Sequence, residues 1–284
     1  MRRLIADRCI AMPGAFNAYT ARLIESAGFD SVYISGAGLA NATAGVPDVG
    51  LLGLDEVVRL CAYIVDAVAI PAIADADTGF GGLPNVARTL REMERIGLAG
   101  IHLEDQEFPK RCGHLAGKTI VAVDEMVDRI KAAVDARLNQ NVLLIARTDA
   151  RASEGIEAAI ERAHSYLAAG ADAVFPEALQ SSDEFKGFAD AIKAPLLANM
   201  TEFGKSPLLS VDELASMGYR MVIFPQSIFR VASKTTSDFL ADLHQFGSQS
   251  EWVDRMQSRA DLYRTLRYDP SANRWPDSER VNDE

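Results

Sequence analysis

The chain has 284 residues, with 29 Lys and Arg against 40 Asp and Glu, a net charge of −11. Its 48% hydrophobic and 24% charged residues exclude disorder as the main state. The acidic balance argues against a nucleic-acid-binding surface, which needs clustered Lys and Arg, and leaves open where an anionic ligand would find positive charge. Three cysteines, Cys9, Cys61 and Cys112, make no disulfide framework and suit a reducing compartment. The start, MRRLIADRCI, lacks the apolar run of a signal peptide. No stretch approaches the roughly 18 apolar residues of a membrane span, so a cytoplasmic location is expected.

Taken in chain order, short apolar runs alternate with helix-periodic stretches. CIAM (9–12) precedes a helix over 17–28. SVYIS (31–35) runs into the Gly/Ala-rich SGAGLANATAG (35–45) and a helix over 54–68. AIAD (72–75) is followed by a helix over 85–97, and GIHLED (100–105) by one over 123–137. VLLIAR (142–147), AVFPE (173–177), PLLAN (195–199) and MVIFP (221–225) follow. Helices at 155–170, 182–192 and 211–218 separate these four. Ser210 with Asp212 and Glu213 reads as a capped, acidic first turn, and Gly218 as a C-terminal stop. Two or three more helices are expected over about 232–268, then a polar tail.

Uniformly apolar strands between helices signal a parallel sheet covered on both faces. Eight of them as one unit fit a closed (β/α)8 TIM barrel, with residues 1–268 as a single domain and 269–284 as a tail. A doubly wound open sheet is the alternative, but residues 35–45 do not match its GxGxxG turn.

In a barrel, catalytic groups sit at the C-terminal ends of strands. Here those ends are polar: Tyr33 to Gly36, Asp75 and Asp77, Glu104, Arg147, Glu177 and Asn199. Such charges are costly to bury unless paired. Asp75 and Asp77, two apart in extended chain, would face one side and with Glu104 make a hard oxygen site suited to Mg²⁺. DADTGFGG reads equally as turn chemistry, and Asp48 in GVPDVG as an outer carboxylate or a turn residue. PKRCGHLAGK (109–118) gathers Lys110, Arg111, Cys112 and His114 after the fourth strand. Cations beside a thiol favour its thiolate, so Cys112 could serve as general acid, base or nucleophile. Zinc is disfavoured, because no second Cys/His pair lies near. Cys9 and Cys61 read as core packing. His164 and His244 read as surface or satisfied core residues, and His102 as a possible barrel-lining residue.

The segments SGAG, GVPDVGLL, DADTGFG, LEDQ, KRCGH, ARTDAR, FPEA, LANMTEFGKSP and MQSRADLY, spread from about residue 12 to 268, carry a resemblance. The chain resembles the isocitrate lyase/phosphoenolpyruvate mutase superfamily, and KRCGH with TEFG and MQSR looks most like its 2-methylisocitrate lyase branch. The resemblance implies a (β/α)8 barrel whose C-terminal helix is exchanged between subunits of a homo-oligomer, a tetramer built as a dimer of dimers. It implies a Mg²⁺ cofactor at Asp75 and Asp77, with Asp48 and Glu104 supporting. It implies Cys112 as catalytic acid, with Tyr33, His114 and Arg147 as further catalytic residues and Tyr33 matched to removal of the substrate's hydroxyl proton. The implied substrate contacts are Ser35, Gly36, Ala37, Lys110, Arg111, Gly113, Arg147, Glu177, Asn199, Met200, Thr201, Arg230 and Arg259. The implied reaction splits 2-methylisocitrate into pyruvate and succinate, in propionate catabolism. The same resemblance allows dimethylmalate, oxaloacetate or phosphonopyruvate chemistry. The thiol of KRCGH argues against the mutases, and strand-end charges argue against a non-enzymatic barrel. The positive charge for an anionic substrate would then be local, from Lys110, Arg111, Arg147, Arg230, Arg259 and the metal.

Overall fold

The computed structural model describes residues 1–111, 113 and 117–272. Eight parallel strands carry the fold: β1 (Ile10–Ala15), β2 (Val32–Ile34), β3 (Ala72–Asp75), β4 (Gly100–Glu104), β5 (Leu143–Thr148), β6 (Ala173–Pro176), β7 (Leu197–Asn199) and β8 (Met221–Phe224). Their order is β6-β5-β4-β3-β2-β1-β8-β7, and a parallel bridge between Val174 and Leu196 joins the two ends. The expected barrel is thus present, and all eight apolar runs form strands.

The helices are α1 (Arg2–Asp7), α2 (Ala18–Ser26), α3 (Gly36–Gly38), α4 (Leu54–Ala67), α5 (Leu83–Arg95), α6 (Val123–Ala136), α7 (Ile156–Ala168), α8 (Ser182–Ala191), α9 (Val211–Met217), α10 (Ser227–Phe246) and α11 (Arg259–Leu266). Ser210 caps α9 in a reciprocal box with Glu213, and Gly218 closes it at φ 107°, as the sequence led one to expect. Two elements differ from expectation. Residues 36–44, for which no element was expected, wind as a short helix continuing into a π-turn, because Ser35 accepts the Gly38 N–H and starts it. α10 begins at Ser227, ahead of the expected start. The tail proposed for 269–284 lies outside the described residues from 273 onward.

Side-chain alternation along the strands decides what the barrel contains. In β5, Leu144 and Ala146 pack outward against helices, while Leu143 and Ile145 join Ile10, Met12, Ile73, Phe175, Met221 and Ile223 inside the barrel. Continued by two residues, the inward register carries Arg147. By the same rule Ile73 leads to Asp75, and His102 leads to Glu104. β3 and β5 thus pack an apolar residue below and deliver Asp75 and Arg147 to the C-terminal mouth, and β4 delivers Glu104 above His102.

Candidate active site

At that mouth lies a cavity of about 190 Å³. Eleven of the expected site residues line it: Tyr33, Ser35, Ala37, Asp48, Asp75, Gly113, Arg147, Glu177, Asn199, Thr201 and Arg230. Phe175, Ile223 and Pro225 supply an apolar wall, and Gln226, Glu202 and Phe203 complete it. Gly36 is not a wall residue but supports one: a Cβ there would lie 2.8 Å from Asp75 Oδ2. Gly113 is constrained likewise, since its Cβ would fall 2.0 Å from Glu177 Oε1 and 2.4 Å from Arg147 NH2. Only glycine lets the backbone lie on these two side chains.

Arg147 is the hub. It is buried, its Nε donates to Asp149 Oδ2 at 2.9 Å, and its other nitrogens lie 3.3 Å from Glu104 Oε2 and 3.6 Å from Glu177 Oε1. Its guanidinium also stands 5.1 Å over the Phe175 ring. Asn199 Nδ2 spans both oxygens of Glu177 at 3.3 and 3.2 Å. Burial opposes the charge of Arg147, but Asp149, Glu104 and Glu177 outweigh it and raise its pKa well above the usual value. Burial likewise opposes Asp149, and Arg147 with Lys118 nevertheless holds its carboxyl below the usual range.

The acidic residues collect beside this hub. The chain turns after β3, and Asp77 takes a left-handed φ of 47° with its N–H on Asp75 Oδ1 at 3.0 Å. Asp75 and Asp77 are thus arranged by a turn, not by extended chain, and the turn and carboxylate readings coexist. Lys110 bonds Asp48 and lies 2.7 Å from Asp77 Oδ1. Burial raises the carboxyls of Asp75 and Glu104, and raises Asp77 to about 6. Burial works against the Lys110 ammonium, but Asp77, Asp75, Glu104 and Asp48 keep it charged. The donor set fits a hard divalent cation. It is all oxygen, it is rich in negative charge, and Glu104 Oε1 is buried with no hydrogen-bond partner among the described residues. Among those residues no three acidic, His or Cys side chains are yet grouped as a closed metal cage.

Below Asp75, Tyr33 Oη lies 2.9 Å from His102 Nε2, and Asp75 Oδ1 lies 3.6 Å from the same nitrogen. Burial, then the Asp75 charge, pushes the Tyr33 phenol well above its usual value. Burial lowers His102 to about 3, leaving a neutral imidazole.

Several expected residues stand elsewhere. Met200 is a core residue, 2% exposed, with its sulfur accepting the Leu209 N–H; alternation turns it away from the mouth that Asn199 faces. Arg111 is exposed, and its backbone is tied to Gln106. Lys110 serves the carboxylates rather than the wall. Arg259 sits exposed at the start of α11, away from the cavity walls. Cys112 and His114 lie outside the described residues. Cys61 is buried, and burial pushes its thiol up to about 12, as a packing residue should show. Sequence reasoning missed Gln226, Phe175, Lys118 and Asp149. Asp149 had a visible signal, as the carboxylate two residues after a strand-end arginine.

The profile of the family described as phosphoenolpyruvate phosphomutase matches residues 1–244. A Shewanella oneidensis protein named 2-methylisocitrate lyase is 49% identical over 265 residues, covering 93% of this chain and 91% of that one. The crystal structure of a 2,3-dimethylmalate lyase superimposes with a TM-score of 0.88 at 37% identity, covering 93% and 89% of the two chains. A phosphonopyruvate hydrolase solved with oxalate and Mg²⁺ gives a TM-score of 0.84 at 29% identity, covering 93% and 92%.

Proposed function

Since the chain belongs to the phosphoenolpyruvate phosphomutase family, we propose that it is a carbon–carbon lyase cleaving 2-methylisocitrate to pyruvate and succinate. The observation that carries this reading is the 49% identity to a 2-methylisocitrate lyase across 93% of the chain. The site's chemistry agrees with it. The cavity is small, half apolar and walled by Arg147 and Arg230, which suits a compact polycarboxylate with a methyl group.

In the reaction the substrate hydroxyl passes its proton to a base, the role the family resemblance gives Tyr33, and the adjacent C–C bond breaks. The hydroxyl oxygen becomes the carbonyl of pyruvate, and the bond's electron pair moves to the carbon beside a succinate carboxylate. The Cys112 thiol gives that carbon a proton and is left as thiolate. Lys110, Arg111 and His114, its sequence neighbours, favour that thiolate. Arg147 and Arg230 grip carboxylates, and Asn199, Thr201, Ser35 and the 36–37 backbone orient them. Asp75 and Asp77, supported by Asp48 and Glu104, would hold Mg²⁺, which when bound supplies positive charge against the developing enolate. The likeness to the 2,3-dimethylmalate lyase favours a dimethylmalate-type acid as the second reading.

The protein acts as a homo-oligomer of the cytoplasm in this reading. α10 buries none of its own residues and exposes Val231, Leu240 and Phe246, apolar surface on more than one side that suits contact with a second copy and exchange of the C-terminal helices. The test of the chemistry is Cys112→Ser. We expect about a 1000-fold or greater loss of cleavage with an unchanged circular-dichroism spectrum. Retained activity would remove Cys112 as the acid.

A further inference from the structure

The proposed reaction gives no role to a buried polar side chain that touches two residues of the cavity wall. His102 lies inside β4, fully buried, in the layer directly beneath the cavity floor. Its ring is fixed on two sides. It stacks 10° from parallel with Tyr33, at 5.9 Å between centroids, and meets Phe175 edge-on at 5.4 Å. Tyr33 and Phe175 both line the cavity. The ring's polar neighbours are gathered at one nitrogen. Nε2 faces Tyr33 Oη at 2.9 Å and Asp75 Oδ1 at 3.6 Å, while Nδ1 is buried with no hydrogen-bond partner among the described residues.

We propose that His102 is a positioning residue whose Nε2–H donates to Tyr33 Oη, so that the phenol's own proton is left for an oxygen of the substrate. The two ring nitrogens are not equivalent here, since only Nε2 has a polar neighbour among the described residues. A proton on Nδ1 would be a buried donor without an acceptor, and would turn the Nε2 lone pair toward the Asp75 carboxylate. A proton on Nε2 has Tyr33 Oη as acceptor at 2.9 Å. Once Oη accepts from the imidazole, its own O–H cannot be spent on the ring. It points instead to whatever acceptor the cavity holds. Once it holds the substrate's hydroxyl proton, Tyr33 thus stays a hydrogen-bond donor to the substrate oxygen, and His102 acts only through it.

The role rests on the lyase reading for its substrate, while the tautomer does not. The first arm of the test is therefore nitrogen NMR of the full-length protein labelled at its four histidines. His102 is identified by elimination with variants at His114, His164 and His244. We expect the proton on Nε2, with that resonance shifted by Tyr33→Phe. A ring protonated on Nδ1 overturns the proposal.

The second arm is kinetic. A Gln amide can stand where Nε2 stands, and an Asn amide where Nδ1 stands. We expect His102→Asn to lower kcat about 100-fold with KM changed less than about 3-fold, and His102→Gln to recover to within about 10-fold of wild type. In a Tyr33→Phe background, His102→Asn should add no further loss, because its target is gone. Equal impairment by Asn and Gln, or a full second loss in the Tyr33→Phe background, overturns the proposal. If the wild type does not cleave 2-methylisocitrate, the lyase reading fails, and the NMR arm still decides the positioning of Tyr33.

Discussion

Lys118 offers a sharp test of how the site is held together. Its side chain is 2% exposed and its ammonium bonds both the Gly113 carbonyl and Asp149 Oδ1. Asp149 is itself fully buried, takes Arg147 Nε at 2.9 Å and NH2 at 3.2 Å, and donates its N–H to Asp105 Oδ1 at 2.8 Å. Lys118→Met keeps the length and removes the charge. Two charge-assisted hydrogen bonds are lost, each worth about 1.5–3 kcal/mol, and a buried carboxylate loses one of its two cations. Arg147 remains on Asp149 and the methionine packs well, so the net loss should be about 3 kcal/mol. Urea unfolding of both proteins at pH 7 reads it directly, as a lower midpoint at unchanged slope. In a double-mutant cycle with Asp149→Asn, the two losses should overlap by about 2 kcal/mol. A loss below about 1 kcal/mol, or simple additivity, would refute the claim that Lys118 and Asp149 form one buried unit beneath Arg147.

Two further outcomes follow from named contacts. In Gly36→Ala the new Cβ would sit 2.8 Å from Asp75 Oδ2. Asp75 must shift, and Mg²⁺ affinity in calorimetry should fall about 10-fold or more with the barrel intact; unchanged affinity would detach Asp75 from metal binding. Glu184 accepts two bonds from Arg151 and one from the Gln180 N–H, and the Arg151 bond chiefly holds its carboxyl below the usual 4.5. A depressed acid stabilises the fold above its unfolded pKa and loses that contribution as pH falls through the folded value. Glu184→Gln should therefore cost about 1 kcal/mol at pH 7 and close to nothing near pH 3. An equal gap at both pH values would contradict the ion-pair origin.

What the sequence made legible, and what it hid, follows from range. Strand ends such as Asp75, Glu104, Arg147 and Glu177 could be read because alternation is local and the barrel rule converts it into position. Met200 was misplaced for lack of that rule's last step: it follows inward-facing Asn199 and must point away. Lys118 meets Asp149 across 31 residues and His102 meets Tyr33 across 69, pairings that no local pattern encodes. His102 sat in an apolar run, where its period marked it as inward but nothing marked its partner. Arg230 was legible only through family resemblance, because its place depends on α10 starting at Ser227 rather than about 232. Arg259 carried the same resemblance but stands on the outer surface of the single chain.

The reaction and its substrate are open to a direct test. The direct measurement offers 2-methylisocitrate, isocitrate, dimethylmalate and oxaloacetate in parallel, with Mg²⁺ and with chelator, and identifies the products. Pyruvate and succinate should form in equal amounts from 2-methylisocitrate, fastest of the four, and the activity should be lost on chelation. Equal or faster turnover of oxaloacetate, or cleavage of 2-methylisocitrate that survives full removal of divalent metal, would contradict the proposed reaction.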